Sequence, residues 1–180
     1  MSKIVLEQLK NELINGCSKK GHPFRYFTLA TTNNEVPRLR TVVLRKVQDD
    51  TLLTFYTDLR SVKIKDIKNN DEVSALFYHP KKLLQLRVQG KAILETDPKV
   101  IQSLWTGIQP NSRKDYTTHH APGSFINSPD EIDYLNEENY FCVVHIAPVQ
   151  IEYLRLQRPN HVRVLFEKEN LSWKGKYLVP

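Results

Sequence analysis

The chain is predicted to be a mainly β protein, an antiparallel barrel of six to eight strands with peripheral helices. Three observations predict this. From Phe24 to Thr96, short runs rich in β-branched and aromatic residues are punctuated by turn pairs such as Asn33-Asn34, Asp49-Asp50 and His79-Pro80. The same texture returns from Tyr140 to Leu178. Helical periodicity is confined to short stretches outside these runs, and a closed or split barrel is the arrangement that removes exposed strand edges.

In chain order, residues 2–15 carry a possible Ser2 cap and apolar residues Ile4, Val5, Leu9, Leu13 and Ile14 at helical spacing, with Gly16 placed to stop the helix. This predicts an N-terminal amphipathic helix packed on the barrel. Strands are predicted over 24–32, 39–47, 52–57, 73–78 and 84–95, with a short helix near 61–69 marked by Val62, Ile64 and Ile67. Asp97-Pro98 and Ser128-Pro129-Asp130-Glu131 read as helix starts, because a capping side chain precedes a proline whose missing N–H costs nothing in a first turn. The stretch 108–127 reads as irregular, and strands resume over 140–146, 149–156, 161–166 and 171–178. No repeat, low-complexity tract or linker divides the 180 residues, so one domain over 1–180 is expected.

Bulk properties narrow the function classes. With 40% hydrophobic residues the chain can bury a full core without disulfides, and Cys17 and Cys142 read as reduced thiols rather than a bridge or a nucleophile. No apolar run is long enough to span a membrane, and charged residues stand where a signal peptide would be apolar, so a soluble cytoplasmic protein is expected. The net charge of +6 fits nucleic acid, a membrane surface or a small anion, so the placement of the charges has to decide.

That placement is informative. Basic and hydroxyl side chains recur on three consecutive strand-like segments, Arg40 to Arg45, Tyr56 to Lys63 and Gln85 to Gly90, with no glycine-rich loop near them. An anion here must be held mainly by side chains: arginine forks for phosphate oxygens, hydroxyls and a lysine for single contacts, and a helix N-terminus for backbone N–H groups. Alternation puts Arg40, Val42 and Leu44 on one strand face and Thr41, Val43 and Arg45 on the other, so the two arginines serve different groups. The plainer reading of Asp58 to Lys63 is a strand-to-helix turn capped by Asp58. His119-His120 is a poor metal motif, since adjacent residues on irregular chain rarely face one ion and no carboxylate or cysteine stands at ligand spacing; no metal is expected. Dinucleotide-fold, P-loop and nucleophile-elbow glycine patterns are absent from the sequence.

The ordered set Arg40-x-x-x-Leu44-Arg45, Phe55-Tyr56-Thr57-Asp58-x-Arg60-Ser61-x-Lys63 and Gln85-x-x-Val88-x-Gly90 resembles the FMN-binding region of the pyridoxamine 5′-phosphate oxidase family. Ile151-Glu152-Tyr153, His161-Val162-Arg163 and the closing 173–180 resemble that family's C-terminal end. The resemblance implies an FMN-binding split barrel that forms a homodimer, with the flavin between subunits. It assigns Arg40 and Lys63, aided by Ser61, to the FMN phosphate; Thr41, Val42, Val43 and Leu44 to a course along the flavin; and Tyr56 and Thr57 to contacts with it. Gln85 would lie near the ring, and Arg163 would approach from the other subunit. At the substrate it implies Arg45, where the oxidase has a lysine, together with Trp105 and His161; His161 is the one candidate catalytic residue.

The departures matter as much. Trp105 and Gln109 stand where the oxidase grips substrate phosphate with a tyrosine and an arginine, and Arg113 falls near a serine position. Leu154 replaces a flanking tryptophan, Val62 an arginine, and an arginine is lost near Asn160. The resemblance therefore implies FMN binding with weak or absent pyridoxamine 5′-phosphate oxidation, closest to the oxidase-related FMN-binding subgroup. Three readings stay open: a flavin-dependent oxidoreductase on a small molecule, an FMN-binding protein without turnover, and a small-barrel nucleic-acid binder motivated by Tyr26, Tyr56 and Tyr78 among basic residues. Asp49, Asp50, Asp58, Asp66, Asp71 and Glu72 interrupt the basic face the last would need.

Overall fold

The computed structural model describes residues 2–48, 51–170 and 172–180. Its strands are β1 Tyr26–Asn33, β2 Val36–Val43, β3 Lys46–Val47, β4 Leu53–Asp58, β5 Glu72–His79, β6 Leu84–Leu94, β7 Phe141–Arg155, β8 Val162–Glu169 and β9 Ser172–Tyr177. Its helices are α1 Ser2–Ser18, α2 Val62–Asn69, α3 Pro98–Thr106 and the single turn α4 Pro110–Arg113. Neighbouring strands run antiparallel in the order β2-β1-β5-β6-β7-β4-β3, and β8 and β9 continue from the far half of β7. The result is a curled, half-closed antiparallel barrel with peripheral helices. Strand alternation turns Phe27, Leu29, Phe55, Phe77, Leu86, Val88, Val144 and Ile151 into one core.

The described residues hold nine strands, and two of the expected boundaries change for physical reasons. The expected strand 39–47 breaks at Leu44-Arg45, where Leu44 N–H donates to the Arg25 carbonyl and Arg45 N–H to that of Thr54. The chain thus leaves β1 and joins β4, which curls the sheet. Conversely, the expected strands 140–146 and 149–156 are one continuous β7. Pro148 is tolerated there because the β6–β7 register shifts at Gln89/Gly90. Gly90 makes the close approach possible: a Cβ on it would sit 2.3 Å from the Ala147 carbonyl oxygen.

Other boundaries move for local reasons. Phe24 lies in a one-turn 3-10 helix, Pro23–Arg25, ahead of β1. Gly16 does not stop α1, which continues to Ser18; it is buried against Phe24, where a Cβ would meet the Phe24 Cβ at 2.8 Å. The Asn33-Asn34 turn is centred one residue later, with Asn34 and Glu35 at φ 47 and 69, a two-residue hairpin connection of the primed kind. Asp97 caps α3, its carboxylate accepting from Lys99 N–H at 2.8 Å. The expected helix at Ser128 makes a single 3-10 turn, Pro129–Glu131. Backbone bonds from His119 N–H to the Asp133 carbonyl and from Leu135 N–H to that of Thr117 draw the chain off into extended pairing. The Asp49-Asp50 turn and the start of the expected last strand at Leu171 lie outside the described residues.

Candidate functional site

The end of β4 and the start of α2 form the first part of the site. Asp58 does not cap α2. Its carboxylate accepts Arg60 N–H at 2.7 Å and holds the Arg60 guanidinium through Nε at 3.1 Å and Nη2 at 2.7 Å. Ser61 takes the N-cap position instead, yet its hydroxyl makes no capping bond and lies 3.4 Å from Thr57 Oγ1. A helix N-terminus with an unused cap offers N–H groups and positive dipole to an anion. Lys63 Nζ donates to Thr57 Oγ1 at 2.9 Å. Burial pulls the Lys63 pKa down, the nearby Arg40 pulls it further, and Asp58 opposes both.

Arg40 enters this cluster from β2. Its Nη1 donates to Thr31 Oγ1 at 2.7 Å and to the Leu29 carbonyl at 3.3 Å, and its Nη2 stands 3.5 Å from Asp66 Oδ2. Burial draws its pKa down, with Asp66 the strongest opposing influence. Arg38, two residues back on the same strand face, reaches Asp66 Oδ1 at 3.2 Å. Thr41 is exposed and Val43 half-buried, while Val42 and Leu44 point into the core. Any ligand running along 41–44 therefore meets the backbone edge of β2, which ends the strand order.

Beyond the break at Leu44-Arg45 lies a cavity of about 420 Å³ lined by Arg25, Arg45, Tyr56, Gln109 and Ser112 among others. The Arg45 guanidinium lies 5.5 Å from the Tyr56 ring centroid, and its Nε is buried without a hydrogen-bond partner among the described residues. Burial raises the phenol pKa values of Tyr56 and Tyr116, an effect Arg45 partly offsets. Trp105 does not line this cavity. It packs on Tyr116 and Phe141 beneath the Arg113 guanidinium, 5.1 Å away, as a wall behind Tyr56.

Gln85 and Arg163 sit elsewhere, in a row across three strands: Gln85 opposite Leu154, and Leu154 opposite Arg163. Buried Glu152, one step along β7 on the same face, binds Arg163 at 3.2 Å and Arg87 at 2.8 Å. His161 lies in the loop before β8, its Nδ1 accepting Gln157 N–H at 3.1 Å. The structure thus brings together Arg40, Thr57, Ser61 and Lys63, sets Arg45 with Tyr56, and leaves Gln85, Arg163 and His161 in other parts of the single chain.

Sequence reasoning missed Asp66, Thr31, Arg38 and Tyr116. For the first three a signal existed: Asp66 is one helical turn from Lys63, Arg38 shares a strand face with Arg40, and Thr31 pairs with Arg38 across the hairpin. It also missed Glu12, His22 and His79, whose ligand atoms lie within 4.8 Å of one another. His22 Nδ1 accepts Phe24 N–H and His79 Nδ1 accepts Lys82 N–H, so in both neutral rings Nε2 carries the proton. His22 Nε2 lies 3.3 Å from Glu12 Oε2 and faces it as a protonated nitrogen, which disfavours a metal; Lys82 also binds Glu12. His119 and His120 stack on each other with ring centroids 5.1 Å apart.

Comparison with known proteins joins these geometries. A model of the pyridoxamine 5′-phosphate oxidase FMN-binding domain matches residues 6–96, about half of the chain. A pyridoxine/pyridoxamine 5′-phosphate oxidase from Azorhizobium caulinodans is 26% identical over 169 residues, covering 85% of this chain and 79% of that protein. Two solved structures share the fold. A pyridoxamine 5′-phosphate oxidase-related FMN-binding protein from Nostoc punctiforme has a TM-score of 0.77 at 22% identity, covering 96% of both chains. PhzG from Burkholderia lata, in complex with tetrahydrophenazine-1-carboxylic acid, has 0.75 at 17%, covering 99% of this chain and 90% of that one. The matched segment contains Arg40, Arg45, Thr57, Ser61, Lys63 and Gln85, and the chain belongs to the pyridoxamine 5′-phosphate oxidase FMN-binding domain family.

Proposed function

We propose that this chain is an FMN flavoprotein whose phosphate seat is formed by Lys63, Ser61, Thr57 and Arg40, and that it acts as an oxidoreductase on a small molecule. The observation that carries this is the unfilled cap of α2 with the Lys63 ammonium and two hydroxyls gathered over it. The donor set fits the phosphate of FMN: a desolvated lysine with no ion pair to a carboxylate among the described residues, two hydroxyls, an arginine and a helix N-terminus. The β2 backbone edge beyond it is open to a flat ring. Bound flavin supplies a centre that accepts hydride from a substrate and is reoxidised by dioxygen or another acceptor.

The chain's own residues bind and orient. Arg45 lines the neighbouring cavity with its guanidinium beside the Tyr56 ring, and its charge suits an anionic group on a substrate. Tyr56 is a neutral hydrogen-bond donor at physiological pH, as phenols ordinarily are, and burial raises its pKa further. We assign the flavin's second wall to a partner copy, docked two-fold through the outer sheet face that carries Leu39, Leu76, Tyr78 and Arg87, so that Arg163 of the partner subunit nears the ring. Among the described residues no helix is long and apolar enough to cross a membrane, and Cys17 and Cys142 are free; a cytoplasmic location belongs to the same proposal.

A second reading, FMN binding without turnover, is favoured by Arg113. Its guanidinium is drawn back onto its own chain, Nε and Nη2 donating to the carbonyls of Ile108 and Thr106, each at 3.1 Å, which takes up two of its five N–H donors. The visible spectrum of the purified or FMN-loaded protein tests flavin binding: a flavin spectrum supports it, and colourless protein that cannot be loaded refutes it. Anaerobic mixing with pyridoxamine 5′-phosphate then tests the substrate reading, which expects little or no bleaching; rapid bleaching would contradict it.

A further inference from the structure

Two carboxylates stand beside the phosphate seat, Asp58, which Arg60 holds, and Asp66, which faces the seat's own arginine. Asp66 lies on the barrel side of α2, one turn after Lys63, and is 2% exposed. Its Oδ2 accepts from Thr31 Oγ1 at 2.7 Å and faces Arg40, and its Oδ1 faces Arg38. Thr31 in turn accepts from Arg40 at 2.7 Å, so Asp66, Thr31 and Arg40 close a ring of contacts. An arginine side chain is long and loses much rotamer freedom when ordered; a buried carboxylate and hydroxyl that fix it beforehand remove that cost from ligand binding.

The charges point the same way. Arg38, Arg40 and Lys63 are three cations against the one carboxylate of Asp66, because Arg60 already occupies Asp58. Two positive charges remain. A phosphate monoester carries a charge of about −2 near neutral pH, whereas a phosphodiester carries one per phosphate and a flavin without phosphate none.

Resting on the FMN reading above, we propose that Asp66 is a positioning residue that fixes Arg40 for a terminal phosphate monoester and makes the seat selective for FMN over riboflavin. It acts through Arg40 and Thr31 and not by touching the ligand.

The test measures dissociation constants of FMN and riboflavin by flavin fluorescence quenching, with the full-length apoprotein and its Asp66→Asn, Thr31→Val and Lys63→Ala variants. The proposal expects Asp66→Asn to weaken FMN about tenfold, the scale of one charge-assisted contact, and to leave riboflavin within about twofold. Thr31→Val should cause a smaller loss, about threefold and again confined to FMN, which keeps the proposal testable if the Asp66 variant does not fold. Equal loss of both flavins would overturn it by showing a merely structural role. Unchanged or tighter FMN binding would overturn it by showing that Asp66 only opposes the phosphate charge. If Lys63→Ala leaves FMN affinity intact, the phosphate seat itself is misassigned; if Lys63→Ala weakens FMN and Asp66→Asn does not, only the role of Asp66 falls.

Discussion

Arg60 grips Asp58 through both carboxylate oxygens and, with the same guanidinium, donates to the backbone carbonyls of Thr118 at 2.8 Å and His119 at 2.9 Å. Its cationic face lies 3.3 Å from the Tyr140 ring centroid. One side chain thus ties the end of β4, beside the phosphate seat, to the irregular segment between α3 and β7.

Breaking this tie should loosen that segment first. Arg60→Ala leaves the buried Asp58 carboxylate without its cation, a change that typically costs about 3 kcal/mol. The expected outcome is a melting temperature several degrees lower, with the first tryptic cuts in the 107–140 segment. A melting temperature within a degree of the parent would contradict the assignment.

The phosphate seat makes a charge-specific expectation. Arg40→Glu places a carboxylate beside Asp66 and should abolish FMN loading. Lys63→Met, which keeps the chain's apolar length and removes its charge, should weaken FMN by about ten- to a hundredfold, the range for a hydrogen bond to a charged group. Isothermal titration of the apoproteins checks both, and unaltered FMN affinity in either would be incompatible with the seat.

The Glu12–His22–His79 cluster couples stability to pH. Burial is the largest influence on His22 and lowers its pKa from 6.5, with His79 and Lys82 adding and Glu12 opposing. A histidine with a lowered folded pKa is protonated more readily in the unfolded chain. Its contribution is therefore intact above about pH 6.5, is lost as pH falls below that, and levels off beneath the folded value. Protonation at Nδ1 would also remove the acceptor for Phe24 N–H. Melting temperatures should fall between pH 7 and pH 5, and more shallowly in His22→Asn, whose side chain keeps an acceptor. Identical slopes would remove His22 from the account.

Thiol chemistry gives an independent check on packing. Burial pushes the Cys142 pKa up to about 11, in the core next to β4, whereas Cys17 is half-buried on α1. At pH 8 iodoacetamide should modify Cys17 and spare Cys142 until denaturant is added, by mass spectrometry of the digested protein. Prompt labelling of Cys142 would contradict the packing.

Gly90 tests the β7 correction. Gly90→Ala must displace the Ala147 backbone, which pairs with Lys91 of β6 and directly follows the β4 ladder ending at Ile146, and should cost about 3 kcal/mol or more. A chemical denaturation midpoint unchanged by this substitution would mean the register there is wrong.

What the sequence made legible follows the reach of each physical signal. Alternation marked the core strands because a strand's period of two is local, and Asp97 before Pro98 marked α3 for the same reason. The unbroken passage of β7 through Pro148 was not legible, since it depends on a register shift in β6. Nor was the single turn at Pro129, which long-range backbone pairing cuts short although its cap is present. At the site, Arg40 and Lys63 stood out through residue type, while Asp58 misled: its neighbour Arg60 captures the carboxylate a helix start would otherwise use. Tyr116 reaches Arg45 from an irregular segment that carries no periodic signal at all.

The most direct measurement is a crystal structure of the protein grown with excess FMN. The account predicts phosphate density within hydrogen-bonding distance of Lys63 Nζ and Ser61 Oγ, with Arg40 turned toward it. Density for the flavin elsewhere, or a clear map of that seat without phosphate, would contradict it.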